Sequence, residues 1–241
     1  MNKFIEIIIP VYNEGENIIK VFDHLKQNVQ NKFIVLLCYD DDSDNLFSYL
    51  EILKSINVDF KLLKNKFYGP CGAVKTGLSF SNNEIKIVYP VDDLINGKII
   101  DNMIKKYEEG YDIVAPSRFM KGGSMKNCPL LKSFLVRSAS FTLFHLSSIP
   151  IEDASNGFRL FSNKILNTFK IESKLGFAYS LELLVKAHRY GFNIIQIPSS
   201  WEERELGKSK FKIFKWLKEY LRWYMYGLST NWLFKKVKKD E

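Results

Sequence analysis

The sequence predicts an α/β fold: a mostly parallel, Rossmann-like sheet flanked by helices, followed by a basic amphipathic helix. Three observations carry this expectation. Short apolar runs alternate with helical patterns along the first half of the chain. The runs are continuous rather than alternating, as strands buried on both faces require. Polar clusters follow the strands at their carboxyl ends, where such sheets bind ligands.

The elements follow in order. Phe4 to Pro10 (FIEIIIP) is a β-branched run closed by proline, read as a buried strand. Glu16 to Val29 carries apolar residues at 18, 21, 22, 25 and 29, one helical face. Phe33 to Tyr39 is a second strand, Asn45 to Lys54 a helix, Phe60 to Leu63 a third strand, and Gly69 to Ser81 a glycine-led helix. Ile85 to Tyr89 is a fourth strand, Asn96 to Glu109 a helix, and Asp112 to Ala115 a fifth strand. The second half is less regular. It predicts helices over Leu130 to Ser147 and Leu175 to Tyr190, and strands over Gly157 to Phe161 and Asn193 to Ile197. No glycine- or serine-rich linker divides the chain, so residues 1–210 are expected to form one domain and 211–241 a tail.

With 241 residues, 46% hydrophobic and 26% charged, the chain is an ordinary globular one, which excludes disordered, collagen-like and disulfide-stapled classes. Three cysteines without close pairing suggest free thiols in a reducing compartment. The N-terminus has no signal-peptide layout, and no stretch reaches the ~20 apolar residues of a spanning helix. The net charge of +8 is uneven: Lys208 to Glu241 holds ten Lys/Arg against three acids, leaving +1 for residues 1–207. That distribution suits a membrane surface and argues against nucleic acid, because the positive charge is confined to an aromatic tail.

Four polar clusters fall on one sheet edge: Tyr12-Asn13-Glu14, Asp40-Asp41-Asp42, Asp92-Asp93 and Ser117-Arg118. Acids at a strand end invite a cation, and oxygen-only ligands favour Mg²⁺ or Mn²⁺ with a phosphate completing the shell. The plainer reading of Asp92-Asp93 is a cap on the helix that begins near Asn96. Arg118, Arg137, Arg159, Arg204 and Lys210, gathered in one site, would clamp phosphates. Taken singly, each is an ordinary surface charge. No Walker A or GxGxxG pattern occurs.

The segments IIIPVYNEGENI (around Pro10), YDDDSDN, VDDL, DIVAPSRFMKGG, SNGFRLF and AYSLELLVKAHRYGFNIIQIPSSWEERELGKSK come in the order seen in family-two glycosyltransferases of GT-A-type fold. The chain resembles that family over nearly all of residues 4–210. Within it, the chain looks most similar to the dolichol- or polyprenol-phosphate sugar transferases. The resemblance implies that Pro10, Tyr12 and Glu14 line a nucleotide pocket and that Asp41 bonds the base or ribose. It implies Asp93, with Asp92 beside it, at the metal. It places Arg118, Arg159, Arg204 and Lys210 near the donor diphosphate or lipid phosphate, and Glu182 in a helix facing the sugar. Three positions depart from the family pattern: Val91 replaces the first metal-motif acid, Asp42 the usual glycine, and Asn156 a serine.

The implied reaction is inverting, metal-assisted transfer of a sugar from a UDP- or GDP-sugar to a polyprenyl phosphate. An alternative acceptor is a sugar hydroxyl of a surface polysaccharide, with Asp153 or Glu182 as base. Val91 keeps open a third reading, a non-catalytic nucleotide-sugar or membrane binder. In the tail, Phe214, Leu217, Leu221, Tyr224, Met225 and Leu228 form an apolar stripe with basic residues opposite. The tail is expected to lie in a bilayer interface, making the protein a cytoplasmic, peripheral enzyme of the membrane face. The alternative is a helix packed on the domain or on a second copy in a homo-oligomer.

Overall fold

A computed structural model describes residues 4–202 and 213–232. Its parallel strands are β1 (Ile5–Val11), β2 (Phe33–Tyr39), β3 (Phe60–Lys64), β4 (Ile85–Val88), β5 (Ile113–Ser117) and β8 (Ile194–Pro198). With β7 (Arg159–Ser162) they form, among the described residues, a seven-stranded sheet of order β3-β2-β1-β4-β7-β5-β8. β7 runs antiparallel to both its neighbours. Two three-residue strands, β6 (Ser124–Lys126) and β9 (Ser200–Glu202), pair beside it. They are too short to show a period in sequence.

The side chains of β1 divide between two hydrophobic layers, as the two-residue strand period requires. Ile5, Ile7, Ile9 and Val11 face helices α1 (Gly15–Asn28), α2 (Leu50–Ser55) and α4 (Ile100–Glu108). Ile8 faces the layer of α3 (Gly69–Phe80), α5 (Leu130–Ser147), α6 (Asn163–Thr168), α7 (Ala178–Arg189) and α8 (Ile213–Trp232). Burial on both faces is the physical reason the strands read as unbroken apolar runs. Where α3 lies on β1 a Cβ on Gly77 would lie 2.5 Å from Ile8 Cγ2, so glycine lets α3 sit that close.

The predicted helices at 45–54 and 96–109 each open as a 3₁₀ turn, Asn45–Tyr49 and Asn96–Ile99, before becoming α2 and α4. In both cases an aspartate of the preceding cluster caps the turn, Asp44 on the Leu46 N–H (2.9 Å) and Asp93 on the Asn96 N–H (2.8 Å).

The helix of the tail packs on the body. Trp216 and Trp223 are buried, Trp223 Nε1 donates to Ser173 Oγ (2.8 Å), and the Tyr224 hydroxyl meets Thr142 Oγ1 (2.8 Å). Leu217, Leu221 and Met225 remain exposed on α8. Trp216 and Trp223, which lie outside the apolar stripe, thus anchor the helix together with Tyr224, and Leu217, Leu221 and Met225 of the stripe face outward. No helix among the described residues is long and apolar enough to cross a membrane.

Candidate active site

The carboxyl ends of β1 and β2 are level, with Val11 opposite Tyr39, so Tyr12-Asn13-Glu14 and Asp40–Asp44 meet. Short side-chain bonds lock the two loops. Asn13, at φ +52, donates its N–H to Asp44 Oδ2 (2.9 Å), and Gly15 donates to Asn45 Oδ1 (2.9 Å). Asp40 turns inward, accepting from Asn65 Nδ2 (2.6 Å) and from the Gly69 N–H (2.8 Å), and Asp42 pairs with Lys64. Asp41 remains exposed, held below the ordinary carboxylate range by the Ser43 N–H (2.9 Å). Tyr12 is exposed, Pro10 is half-buried in β1, and Glu14 accepts from Asn17 Nδ2 (2.6 Å). The edge therefore presents Tyr12, Glu14 and Asp41 over a rigid floor. Spacing alone could not sort the four acids, because Asp40, Asp42 and Asp44 are set apart from Asp41 by partners far along the chain, Asn65, Lys64 and Asn13.

β4 delivers the second cluster. Asp93 Oδ1 accepts the N–H groups of Ile95 (2.9 Å) and Asn96 (2.8 Å), and Oδ2 accepts Asn96 Nδ2 (2.6 Å). Burial raises the Asp93 carboxyl above its usual range; the Asn96 and Ile95 bonds oppose this, and neighbouring Asp92 adds to it. Asp92 is exposed. Val91 packs its side chain against the β1–β4 hydrophobic layer, so the place of the missing acid is an apolar anchor. Asn96 also bonds both ways with Ser200 (2.7 and 3.1 Å), and the Gly97 N–H donates to His24 Nε2 (3.0 Å). A Cβ on Gly97 would lie 2.7 Å from His24 Nε2. Gly97→Ala is therefore expected to cost about 1–3 kcal/mol by overcrowding, read as a lower thermal midpoint, and to weaken activity by shifting the Asp93 turn.

Among the described residues no three His, Cys, Asp or Glu side chains cluster to hold a cation. Two adjacent carboxylates, Asp92 and Asp93, nevertheless fit an ion that takes one or two protein carboxylates and completes its shell with water and substrate phosphate. Asp93 Oδ2 accepts a single N–H among the described residues, which leaves it a lone pair for such a ligand.

The third part of the edge joins β5 to the segment before β7. Arg118 forms a bidentate pair with Asp153, Nε to Oδ2 at 2.6 Å and Nη2 to Oδ1 at 2.8 Å, and Nη2 also reaches Ser155 Oγ (2.9 Å). Burial opposes ionisation of Asp153, but the Arg118 guanidinium, with Arg159 behind it, holds the carboxyl below its usual range. Arg118 lies at the edge with 12% of its side chain exposed. Arg137 of α5 joins it there, the two guanidinium groups lying 5.2 and 4.7 Å from the centre of the Phe119 ring.

Two residues expected at the phosphates or the sugar lie deeper. Arg159 is wholly buried, donating to the carbonyls of Ser180 (2.7 Å), Ala154 (3.0 Å) and Asp153 (3.1 Å). Desolvation lowers its pKa to about 10. Its Nη1 and Nη2 groups hold backbone carbonyls while its buried Nε makes no hydrogen bond among the described residues, so in this structure it braces the site floor. Glu182 is also wholly buried, accepting from the N–H groups of Glu172 (2.7 Å) and Ser173 (2.8 Å) and from Lys186 Nζ (2.6 Å). It ties α7 to the 172–173 segment. Arg204 and Lys210 lie outside the described residues. Asn13 and Asp44 fall within the polar segments after β1 and β2, but the sequence does not show that they brace each other, and Asn65 and His24 were not candidates for the site. Only the Asp93-x-x-Asn96 spacing carried a signal, that of a helix cap.

A glycosyltransferase of GT-A-type fold is the class that this sheet and its acid-and-arginine edge define. The chain belongs to glycosyl transferase family 2, whose model matches residues 6–169. It is 26% identical over 223 residues to the dolichol-phosphate mannosyltransferase of Pyrococcus furiosus, covering 90% of this chain and 62% of that protein. The chain thus spans less than two thirds of the length of that relative. It is 23% identical over 229 residues to the polyprenol monophosphomannose synthase of Mycolicibacterium smegmatis, covering 87% and 85%. Glucosyl-3-phosphoglycerate synthase from Mycobacterium tuberculosis, crystallised with Mn²⁺, UDP-glucose and phosphoglyceric acid, shares the fold. Its TM-score is 0.67 at 15% identity, over 94% of this chain and 80% of that one.

Proposed function

We propose that this glycosyltransferase moves a sugar, with inversion, from a UDP- or GDP-sugar to a polyprenyl phosphate. The observation that carries the acceptor is the state of the two candidate bases. Asp153 and Glu182 are both wholly buried and spent on ion pairs and N–H bonds. A sugar hydroxyl needs a base within hydrogen-bond reach, and neither residue is placed to serve. A lipid phosphate is already ionised near pH 7 and needs none. The names of the Pyrococcus and Mycolicibacterium relatives agree with such an acceptor.

In this reading Pro10, Tyr12, Glu14 and Asp41 receive the nucleoside. Arg118, with Arg137 near it, faces phosphate, oriented by Asp153. Arg159 positions the Asp153–Ala154 backbone, and Glu182 the 172–173 segment beside α3. Arg204 and Lys210 would add positive charge from the segment that follows β9. Asp93 and Asp92 would hold Mg²⁺ or Mn²⁺, which supplies charge neutralisation at the diphosphate. The acceptor phosphate oxygen attacks the anomeric carbon. The carbon–oxygen bond to the nucleotide breaks from the opposite face, and the nucleoside diphosphate leaves with the electron pair. Arg118 stabilises the charge that develops.

Membrane association belongs to the same reading. α5 exposes Leu130, Phe134 and Phe141, and α8 exposes Leu217, Leu221 and Met225, on two helices that touch through Thr142 and Tyr224. In sequence, Lys132 and Arg137 accompany the first ridge and Lys218 and Arg222 the second, a composition that suits an anionic leaflet. The test is sugar transfer from UDP- and GDP-sugars to a polyprenyl phosphate carried in anionic vesicles, with an oligosaccharide acceptor in parallel. Glycolipid that vanishes with EDTA and returns with Mn²⁺ is the expected result. Product on the oligosaccharide alone would overturn the lipid-phosphate assignment.

A further inference from the structure

Tyr68, between β3 and α3, has φ +57 and ψ 145. Residues other than glycine rarely occupy that region, and they persist there only where surrounding bonds impose it. Such bonds flank it on both sides. Thr76 Oγ1 accepts the Lys66 N–H (3.2 Å), Asn65 Oδ1 the Phe67 N–H (2.9 Å), and Asp40 Oδ2 the Gly69 N–H (2.8 Å). Asn65 Nδ2 closes the loop on the Gly69 carbonyl (3.1 Å). The strain holds up an exposed ring. Tyr68 is 69% exposed, and its side chain makes no hydrogen bond, ion pair or ring contact among the described residues. Its neighbour Phe67 is already partnered by Lys75 Nζ, 5.0 Å from the ring centre. Holding an unpacked aromatic ring in a strained backbone gains nothing for folding, which points to a ligand.

The sheet order says which part of a ligand. Tyr68 follows β3, at the β3-β2-β1-β4 end of the sheet, one residue from the Gly69 N–H that Asp40 binds. The carboxylates and arginine suited to a metal–diphosphate lie at β4 and β5, across β1 and β2. A nucleoside diphosphate laid along this edge puts its diphosphate toward β4 and its uncharged base toward β3. We propose that the Tyr68 ring is the stacking surface for the donor's nucleobase. This assignment rests on the nucleotide-sugar reading above. A ring face recognises any base, so the contact supplies affinity, and discrimination between bases is left to groups that meet the base edge, Asp41 among them.

The experiment measures binding of UDP, GDP and inorganic pyrophosphate by calorimetry to the full chain and to Tyr68→Ala, Tyr68→Gly and Tyr68→Phe. Loss of the ring is expected to weaken UDP and GDP roughly five- to a hundred-fold. Tyr68→Phe should stay within about twofold of wild type, because the ring is kept. Pyrophosphate, which has no base, should bind all four proteins alike. Tyr68→Gly should melt no lower than wild type, because glycine relieves the strained backbone. Unchanged UDP and GDP binding in Tyr68→Ala, or an equal loss for pyrophosphate, overturns this assignment alone. A wild-type chain that binds neither UDP nor GDP overturns the donor reading and this assignment with it.

Discussion

Asp93→Ala is expected to lower sugar transfer by roughly 10²–10³-fold, the size of effect seen when one charge-stabilising group is removed from an active site. Two losses combine. The carboxylate that would hold the cation disappears, and the turn over Asn96–Ile99 loses its cap, since Asp93 accepts the N–H groups of Ile95 and Asn96. Asp92→Ala separates them. Asp92 is exposed, whereas Asp93 accepts the N–H groups that open the Asn96–Ile99 turn. Removal of Asp92 should weaken activation by Mn²⁺ and lower the thermal midpoint less than Asp93→Ala does. Titrating Mn²⁺ against activity for wild type and both variants is the check. Full activity in Asp93→Ala would remove this residue from the site.

Asp153→Asn carries the largest expected effect on stability. The pair with Arg118 is deeply buried, with 0% of the Asp153 side chain and 12% of the Arg118 side chain exposed. Removing one charge from such a pair strands the other and costs about 3–5 kcal/mol, which for a chain of this size lowers the melting midpoint by roughly 6–20 °C. The pH dependence has a definite sign. The folded-state pKa of Asp153 is depressed below the ordinary 3.8, so its contribution is fully present above that value and is lost as pH falls through the folded pKa. Wild type should therefore lose stability in that acid window, while Asp153→Asn shows a flatter profile there. Transfer should also fall, because Arg118 loses the partner that aims it. Urea unfolding between neutral and acid pH reads both effects.

The α/β fold was legible because its signals are local. Continuous apolar runs such as FIVLLCY report burial on both faces of a sheet, and the 3.6-residue period over 16–29 reports a helix on one face. The edge was legible too, since polar clusters after parallel strands fall on one side. The direction of β7 was not. Four residues carry no mark of running antiparallel, and only their pairing with β4 and β5 shows it. The tail was half legible. Its amphipathy showed in the spacing, but which side would pack did not, and Trp216 and Trp223 turn inward while Leu217, Leu221 and Met225 face out.

The division holds at the site as well. Sequence by itself determined which residues reach the carboxyl edge of the sheet: Tyr12 and Glu14 after β1, the acids after β2 and β4, and Arg118 after β5. Tertiary structure alone decided what each does there. Arg118 and Arg159 look alike in sequence, yet one lies at the rim and the other is buried and donates to backbone carbonyls. Among the acids of the β2 cluster, Asp40 and Asp44 brace loops and Asp41 stays exposed. The reason is range. A strand or helix is specified by neighbours two to four positions apart. The ionic and hydrogen-bonding fate of a side chain depends on partners such as Asp44 for Asn13, 31 positions away, or Ser200 for Asn96, 104 away.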